Sequence, residues 1–240
     1  MNLRNSIAGL VAAASLGTGV PTLAEFQVGL YGGYSWNHNS DVDLQQGAAT
    51  DITHDSVHWD SEPWQMPPYW GVRALYRPMR ESRWGLMLDY THAKTIADRD
   101  RAVSVSGTLD GVPVAGELAP STVYDRLEFT NGLNTMTLNA IYRFPLNSTW
   151  TPYVGAGIGV AVPHVEVRKV GGGIDKYGYE IGGMAAQFMA GIEYEISPRW
   201  SLFGEYKANW SDIDVDLGDD ATLQTQIMTH QLLFGASVNF

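Results

Sequence analysis

The feature that most constrains the fold of this chain is a strict alternation of apolar with small or polar residues. In residues 151–167, TPYVGAGIGVAVPHVEV, apolar side chains alternate with glycines at positions 155, 157 and 159. A period of two places successive side chains on opposite faces of a β-strand. Each alternating segment has about ten residues, the length that a tilted strand needs to cross a bilayer. Seven further segments show the pattern: 26–36, 70–77, 84–91, 135–143, 184–195, 200–210 and 231–240.

The lengths of the connections distinguish a membrane barrel from a soluble sandwich, which would bury its apolar parity in a shared core. Short connections, around 78–82, 145–148 and 197–199, alternate with long ones, around 37–66, 94–131, 163–180 and 211–225. This alternation is typical of outer-membrane barrels, whose long loops lie outside the cell. The sequence therefore predicts an all-β fold: an eight-stranded antiparallel transmembrane β-barrel with four long extracellular loops and short periplasmic turns.

The parity of the charged residues predicts a filled interior. An eight-stranded barrel has an interior that side chains just fill, and buried charges must be paired. We therefore expect a plug rather than a pore, in which the glycines of residues 155–159 make room for long side chains across the lumen while Val154, Ile158 and Val160 face lipid. The charged residues with inward parity are Arg73, Arg77, Asp89, Arg143, Glu193, Glu195, Glu205 and Lys207.

The first 24 residues have the pattern of a secretory signal peptide. Arg4 precedes an uncharged stretch at residues 6–20, and Thr22-Leu23-Ala24 supplies small residues for cleavage. A tethered helix is the alternative, but the stretch is short and lacks a basic flank. We expect residues 1–24 to be a signal peptide, residues 25–240 to form the barrel domain, and the protein to reside in the outer membrane.

Charge and the C-terminus indicate partners. The formal net charge of −11 argues against nucleic acid as a ligand. The chain ends on Phe240 in an alternating segment, which resembles the terminal signal that the outer-membrane assembly machinery recognises. Acidic loops would repel the phosphates of lipopolysaccharide unless divalent cations bridge them. We therefore expect outer-membrane lipid and lipopolysaccharide as partners.

Two groups of residues on the extracellular side are candidate functional sites. His92, His164 and Glu166 lie at the tops of strands, near the height of lipid headgroups. Such a histidine either extends into the interface without further role, or serves as a base that Glu166 orients.

His54 and His58 have the i, i+4 spacing that would place both rings on one face of a helical turn, with Asp60 nearby. Two histidines and a carboxylate could bind a transition metal. The alternative is a polar loop with two incidental histidines.

Five segments together resemble the outer-membrane lipid A oxidase family: MPPYWGVRALYR, LDYTHAKTIAD, RLEFTNGLNTMTLNAIYR, TPYVGAGIGVAVPHVEV and WSLFGEYK. They fall within residues 66–240. The resemblance implies oxidation of the proximal glucosamine of lipid A to 2-aminogluconate, with molecular oxygen as co-substrate and hydrogen peroxide as product. It carries over no catalytic residues, so His92, His164 and Glu166 rest on position and chemistry.

The implied reaction requires an electron carrier. A barrel of this width cannot enclose a flavin, so a divalent metal ion is the expected cofactor. The competing hypothesis is a non-enzymatic barrel of the opacity or adhesin type, whose loops bind a surface partner.

Overall fold

The computed structural model describes residues 24–79, 81–147 and 149–240. The predicted signal peptide, residues 1–24, lies outside this part of the chain apart from Ala24. Among the described residues, no helix is long and apolar enough to cross a membrane. The strands are β1 (Glu25–Asn37), β2 (Ser40–Gln46), β3 (Thr50–Val57), β4 (Trp59–Asp60), β5 (Trp70–Arg77), β6 (Trp84–Ala97), β7 (Val103–Leu109), β8 (Val112–Leu118), β9 (Tyr124–Arg143), β10 (Trp150–Lys169), β11 (Asp175–Tyr179), β12 (Gly183–Ser197), β13 (Trp200–Gly218) and β14 (Ala221–Asn239).

Eight of these strands close into an antiparallel ring. Their order is β1, β5, β6, β9, β10, β12, β13 and β14, and β1 pairs with β14 from Gln27↔Asn239 to Asn37↔Thr229. Closure pairs the backbone of every strand in the ring on both sides, as a membrane interior requires. Alternate side chains such as Leu138, Ile158 and Phe234 are exposed on the outer surface. The predicted eight-stranded barrel is confirmed.

The interior of the ring is polar and densely paired, as predicted. Tyr31 Oη donates to Asp89 Oδ1 (2.9 Å), and the guanidinium of Arg73 lies 3.4 Å from the ring centroid of Phe203. The charged groups of Asp89 and Arg73 are buried, so a partner of opposite sign must offset their loss of hydration. The ion pairs are Arg73–Glu205 (2.8 Å), Lys207–Asp89 (2.5 Å), Arg143–Glu193 (2.9 Å) and Arg77–Glu25.

The glycines of β10 have a different role from the predicted one. A Cβ at Gly157 or Gly159 would overlap backbone atoms of the adjacent strand β9, and one at Gly155 would overlap Ile141 of the same strand. Gly155 and Gly157 do make room for buried side chains, but these are Ile141 and Asn139 of the neighbouring strand β9 rather than the charged side chains across the lumen, so the prediction is wrong in that respect. They permit the close approach of β9 and β10, while Val154, Ile158 and Val160 are exposed on the outer face as expected.

The segments predicted as long loops are largely β-structure. β9 and β10 have 20 residues each and β13 and β14 have 19, about twice the length that crosses a bilayer. β2, β3, β7 and β8 extend the sheet sideways from β14, while β4 pairs with β6 and β11 with β10. We call these six short strands and the upper ends of the long strands the cap.

The cap has its own hydrophobic core, separate from the polar lumen. Trp59 and Phe129 lie with ring centroids 6.1 Å apart at its centre. Burial of each large apolar side chain contributes about 1.5–3 kcal/mol, which explains why these segments are ordered strands. The buried apolar residues of the cap include Val42, Leu44, Ile52, Val57, Trp59, Val105, Leu127, Phe129, Val165, Val167, Ile213, Val215, Leu223 and Ile227.

Candidate functional site

A bulge in β9 shapes the candidate site. Leu133 pairs with Pro163 of β10, but the next aligned pair is Glu128 with Glu166, so β9 has two more residues than β10 between these pairs. The same segment is irregular against β6. Bulges re-aim side chains and are frequent beside functional sites. Here the bulge brings Thr130 and Asn131 to the outer face of the barrel.

His164 and Glu166 form a buried pair on that outer face. His164 Nδ1 donates to Glu166 Oε1 (3.0 Å), and the rings of Tyr177 and Tyr179 lie edge-on to the imidazole with centroids 4.6 Å away. The two tyrosines face His164 because β11 pairs with β10 through His164↔Tyr179 and Glu166↔Tyr177. Since Nδ1 carries the proton, Nε2 is the basic nitrogen of this imidazole.

Three further donors fix the Glu166 carboxylate. Thr130 Oγ1 donates to Oε1 (2.6 Å), Asn131 Nδ2 donates to Oε1 (3.2 Å), and Arg126 Nη1 donates to Oε2 (2.9 Å). Hydrogen bonds from charged groups are about twice as strong as neutral ones. Glu166 is therefore a fixed acceptor that holds His164 in one tautomer and orientation.

Arg126 gives this surface a positive group among carboxylates. Its side chain is partly exposed, and it also contacts Glu128, with Nε 3.5 Å from Oε1. Burial raises the pKa of Glu128, the charge of Glu166 raises it further, and Arg126 opposes both effects. An anion that approached Arg126 would thus meet a guanidinium already oriented by Glu166.

His92 lies next to this group on the same face. Its Nδ1 donates to Asn134 Oδ1 (2.9 Å), and its ring stacks on Trp70 with centroids 6.0 Å apart. His92 Nε2 is buried and has no hydrogen-bond partner within the described part of the chain. Gly132 has a φ of 115° and lies close to His92 Nδ1 and Asn134 Oδ1. A Cβ at this position would overlap both atoms.

The structure does not bring the proposed metal ligands together. Residues 50–57 form a strand, so the helical turn expected for His54 and His58 is wrong. His54 is fully buried in the cap core, whereas His58 is partly exposed and lies 3.7 Å from Asp60 Oδ1. Within the residues that the structure describes, no group of three or more His, Cys, Asp or Glu side chains could hold a metal ion. A β-bulge separates the two histidines: between His54 and Val57, β3 has one residue more than β2, with Ser56 at a φ of 57°, so the side-chain parity reverses and only His54 faces the core.

The sequence reasoning missed several contacts of this site. Arg126, Thr130 and Asn131 fall in a segment predicted as a loop, as do Tyr177 and Tyr179. A usable signal was present, since polar residues in RLEFTN keep the parity that faces lipid lower in the same strand.

Comparison with solved structures shows similarity to outer-membrane barrels. The chain is 14% identical to Neisserial surface protein A, with a TM-score of 0.45, covering 90% of this chain and 97% of that one. It is 13% identical to OprG of Pseudomonas aeruginosa, with a TM-score of 0.42, covering 90% and 95%. The outer-membrane protease OmpT of Escherichia coli is 9% identical, with a TM-score of 0.39, covering 90% and 96%. No curated protein matches the sequence.

The match to a sequence family gives the assignment. Residues 7–240 match the family described as the outer membrane protein beta-barrel domain. The closed eight-stranded ring, its apolar outer band and its paired interior agree with that match. The chain therefore belongs to the outer membrane protein beta-barrel domain family, and the protein is located in the outer membrane.

Proposed function

We propose that this protein is an enzyme of the outer leaflet that oxidises the proximal glucosamine of lipid A to 2-aminogluconate with molecular oxygen. The observation that carries the proposal is the His164–Glu166 pair beside Arg126, buried on the outer face of the barrel rather than in its lumen. A base and a cation in this position face lipid headgroups. The resemblance of five sequence segments to lipid A oxidases supplies the reaction.

The height of the pair on the barrel supports a lipid substrate. Val160 precedes His164 by four residues on the same strand and is exposed on the apolar outer band. Strands rise about 3.3 Å per residue, so His164 lies above the apolar band by roughly the thickness of the lipid headgroup layer. A sugar of an outer-leaflet lipid lies at this level while its acyl chains remain in hydrocarbon.

The chain supplies a base for the first proton. His164 Nε2 accepts the proton of the anomeric hydroxyl, and Glu166 stabilises the imidazolium that forms. Overall, two electrons and two protons pass from the hemiacetal to dioxygen, which leaves as hydrogen peroxide; the residues named here act on the protons, and we assign none of them to carrying the electrons. The resulting lactone adds water and opens to the acid, so lipid A gains one oxygen atom. Arg126 holds an anionic group of the lipid and orients the sugar.

The residues of this site do not fit a metal ion. His164 and Glu166 are its two ligand-type side chains in contact, and Glu166 already accepts four hydrogen bonds. We therefore assign the residues of this site to proton transfer and to orientation of the substrate.

The test is mass spectrometry of lipid A from a host whose lipid A carries a free anomeric hydroxyl. Expression of the wild-type protein should add a species heavier by one oxygen atom. His164→Gln and Glu166→Gln should each reduce its formation by about 100- to 10,000-fold, the usual contribution of a positioned general base. His58→Gln, on an exposed part of the cap, is the matched control and should leave the new species unchanged.

Heat-modifiable mobility on gels shows whether each variant still forms a barrel. Loss of the new species in a folded His164→Gln barrel supports the assignment. Full activity of both variants would disprove the role of the pair, and an unchanged lipid A spectrum with the wild-type protein would disprove the oxidase.

One observation favours the alternative, a surface-binding barrel. β8 is the last strand of the extension from β14 through β2, β3 and β7, so its outer edge is unpaired within the described sheet. Such an edge can accept a strand of a partner protein. In that case the lipid A spectrum would stay unchanged, and deletion of the β7–β8 hairpin would abolish attachment to the partner surface.

A further inference from the structure

Two histidines meet on the outer face of the barrel, away from the site described above. Trp36 of β1 pairs with His230 of β14, and His38 follows Trp36 by two residues, so it faces the same side. The imidazoles of His38 and His230 have centroids 4.5 Å apart at an interplanar angle of 41°. The backbone N–H of His38 donates to the carbonyl of Met228 (2.9 Å), so the pairing with β14 continues to His38. This strand register brings the two imidazoles together.

The ring of His230 has two aromatic neighbours. Trp36 stacks on it at 5.5 Å with an interplanar angle of 19°, whereas Tyr206 meets its edge through the hydroxyl group. His230 Nδ1 and Tyr206 Oη lie 2.5 Å apart in a hydrogen bond. Its other nitrogen, Nε2, is buried and lacks a hydrogen-bond partner among the described residues. An oriented imidazole with one nitrogen bound and the other free resembles a metal ligand with its supporting hydrogen bond.

We propose that His38 and His230 form a binding site for a divalent transition-metal ion. With metal–nitrogen bonds of about 2.0–2.1 Å, two neighbouring imidazole ligands have centroids about 4.5–5 Å apart. The observed separation of His38 and His230 falls at this value. With the metal bound at Nε2, Nδ1 of the neutral imidazole carries the proton and donates it to Tyr206 Oη, so that Tyr206 orients the ligand.

The ligand type selects the class of metal. Imidazole nitrogens suit Cu²⁺, Ni²⁺ and Zn²⁺, whereas Mg²⁺ and Ca²⁺ prefer oxygen. His38 is exposed, so the remaining coordination positions open to water and to phosphate oxygens of lipid headgroups. The site lies on β1, β13 and β14, and the His164–Glu166 pair lies on β10 across the ring. The metal site is therefore independent of the proposed lipid oxidation.

The test uses the untagged protein in detergent micelles, titrated with Cu²⁺ and followed by electron paramagnetic resonance. The wild-type protein should bind one equivalent with a nitrogen hyperfine pattern from two imidazoles. His38→Asn and His230→Asn should each remove this species. Tyr206→Phe should weaken binding by about 10- to 100-fold, the usual effect of losing a hydrogen bond to a metal-bound histidine. His58→Asn, another partly exposed histidine of the extracellular side, should bind as the wild type does.

Gel mobility and the two-nitrogen resonance signal together distinguish loss of the metal site from loss of the fold. His38 is exposed, so His38→Asn should leave heat-modifiable mobility intact even where His230→Asn disturbs packing. Loss of the two-nitrogen signal in folded His38→Asn, with the signal retained in His58→Asn, supports the site. Absence of a two-nitrogen species in the wild type overturns the proposal, and so does its persistence in the His38→Asn/His230→Asn double variant.

Discussion

Acidification should loosen the cap through one histidine. His54 of β3 is fully buried, neither ring nitrogen has a hydrogen-bond partner in the described structure, and its ring lies 5.4 Å from that of Tyr124. Burial lowers its pKa from 6.5 to about 4, while the nearby carboxylate of Asp55 acts weakly in the opposite direction. His54 is therefore neutral in the folded cap at neutral pH.

The sign of the effect follows from the two pKa values. Above pH 6.5 His54 is neutral in both the folded and the unfolded cap, so it adds no pH dependence. Between pH 6.5 and about 4 the unfolded cap binds a proton that the folded cap excludes, and stability falls as the pH falls. The full loss is about 3 kcal/mol. At pH 4.5 it reaches about 2.5 kcal/mol, which raises the opening equilibrium of the cap by roughly 75-fold.

Amide hydrogen exchange measures this opening strand by strand. We expect exchange from β3 and β7, corrected for intrinsic rates, to increase by this factor between pH 7 and pH 4.5, while the barrel strands below remain protected. His54→Leu fills the same apolar space without a titrating group, so it should lose this pH dependence. His58→Gln, four residues further along the chain and partly exposed, should retain it. The reasoning fails if His54→Leu shows the same increase as the wild type.

Three further perturbations test the lumen and the site. Lys207→Met leaves the buried carboxylate of Asp89 without its cation, which should lower the free energy of unfolding in urea by about 3–5 kcal/mol; an unchanged midpoint would contradict the pairing. Gly132→Ala places a methyl group at a positive φ in the bulge that positions Thr130 on Glu166, so lipid A oxidation should fall while gel mobility persists, and wild-type activity would refute the role of the bulge. Arg126→Gln should raise the KM for lipid A by about tenfold or more, the equivalent of one charged hydrogen bond, and an unaltered KM would show that no anion binds there.

The barrel itself could be predicted from the sequence because one physical pattern determines it. Each crossing strand must present apolar groups to hydrocarbon at every second position, and segments such as residues 151–162 keep this pattern without interruption. The paired lumen followed from the same parity. What parity could not show is which atoms oppose each glycine, because Gly157 and Gly159 depend on the closeness of the β9 backbone.

The cap could not be predicted by the same reasoning. Its strands are short, and β2, SDVDLQQ, carries charges at positions that a bilayer would exclude. Val42 and Leu44 nevertheless alternate with polar residues and are fully buried. A long connection need not be an irregular loop. A chain outside the membrane can continue the same hydrogen-bonded strand pairing wherever it finds a second apolar surface to cover.

Strand geometry also explains why the structure places one set of candidate residues on a common face and separates the other. His92, His164 and Glu166 were selected because they carry the lipid-facing parity at strand ends, and the structure places all three on the outer face. His54 and His58 follow a helical spacing, but residues 50–57 form a strand, and the bulge at Ser56 turns His54 to the core and leaves His58 partly exposed. In a barrel, a polar residue is informative where it occupies a position whose parity faces lipid, because such positions are otherwise apolar. Burial penalises such a side chain unless neighbouring groups satisfy it, as Thr130 and Arg126 do for Glu166.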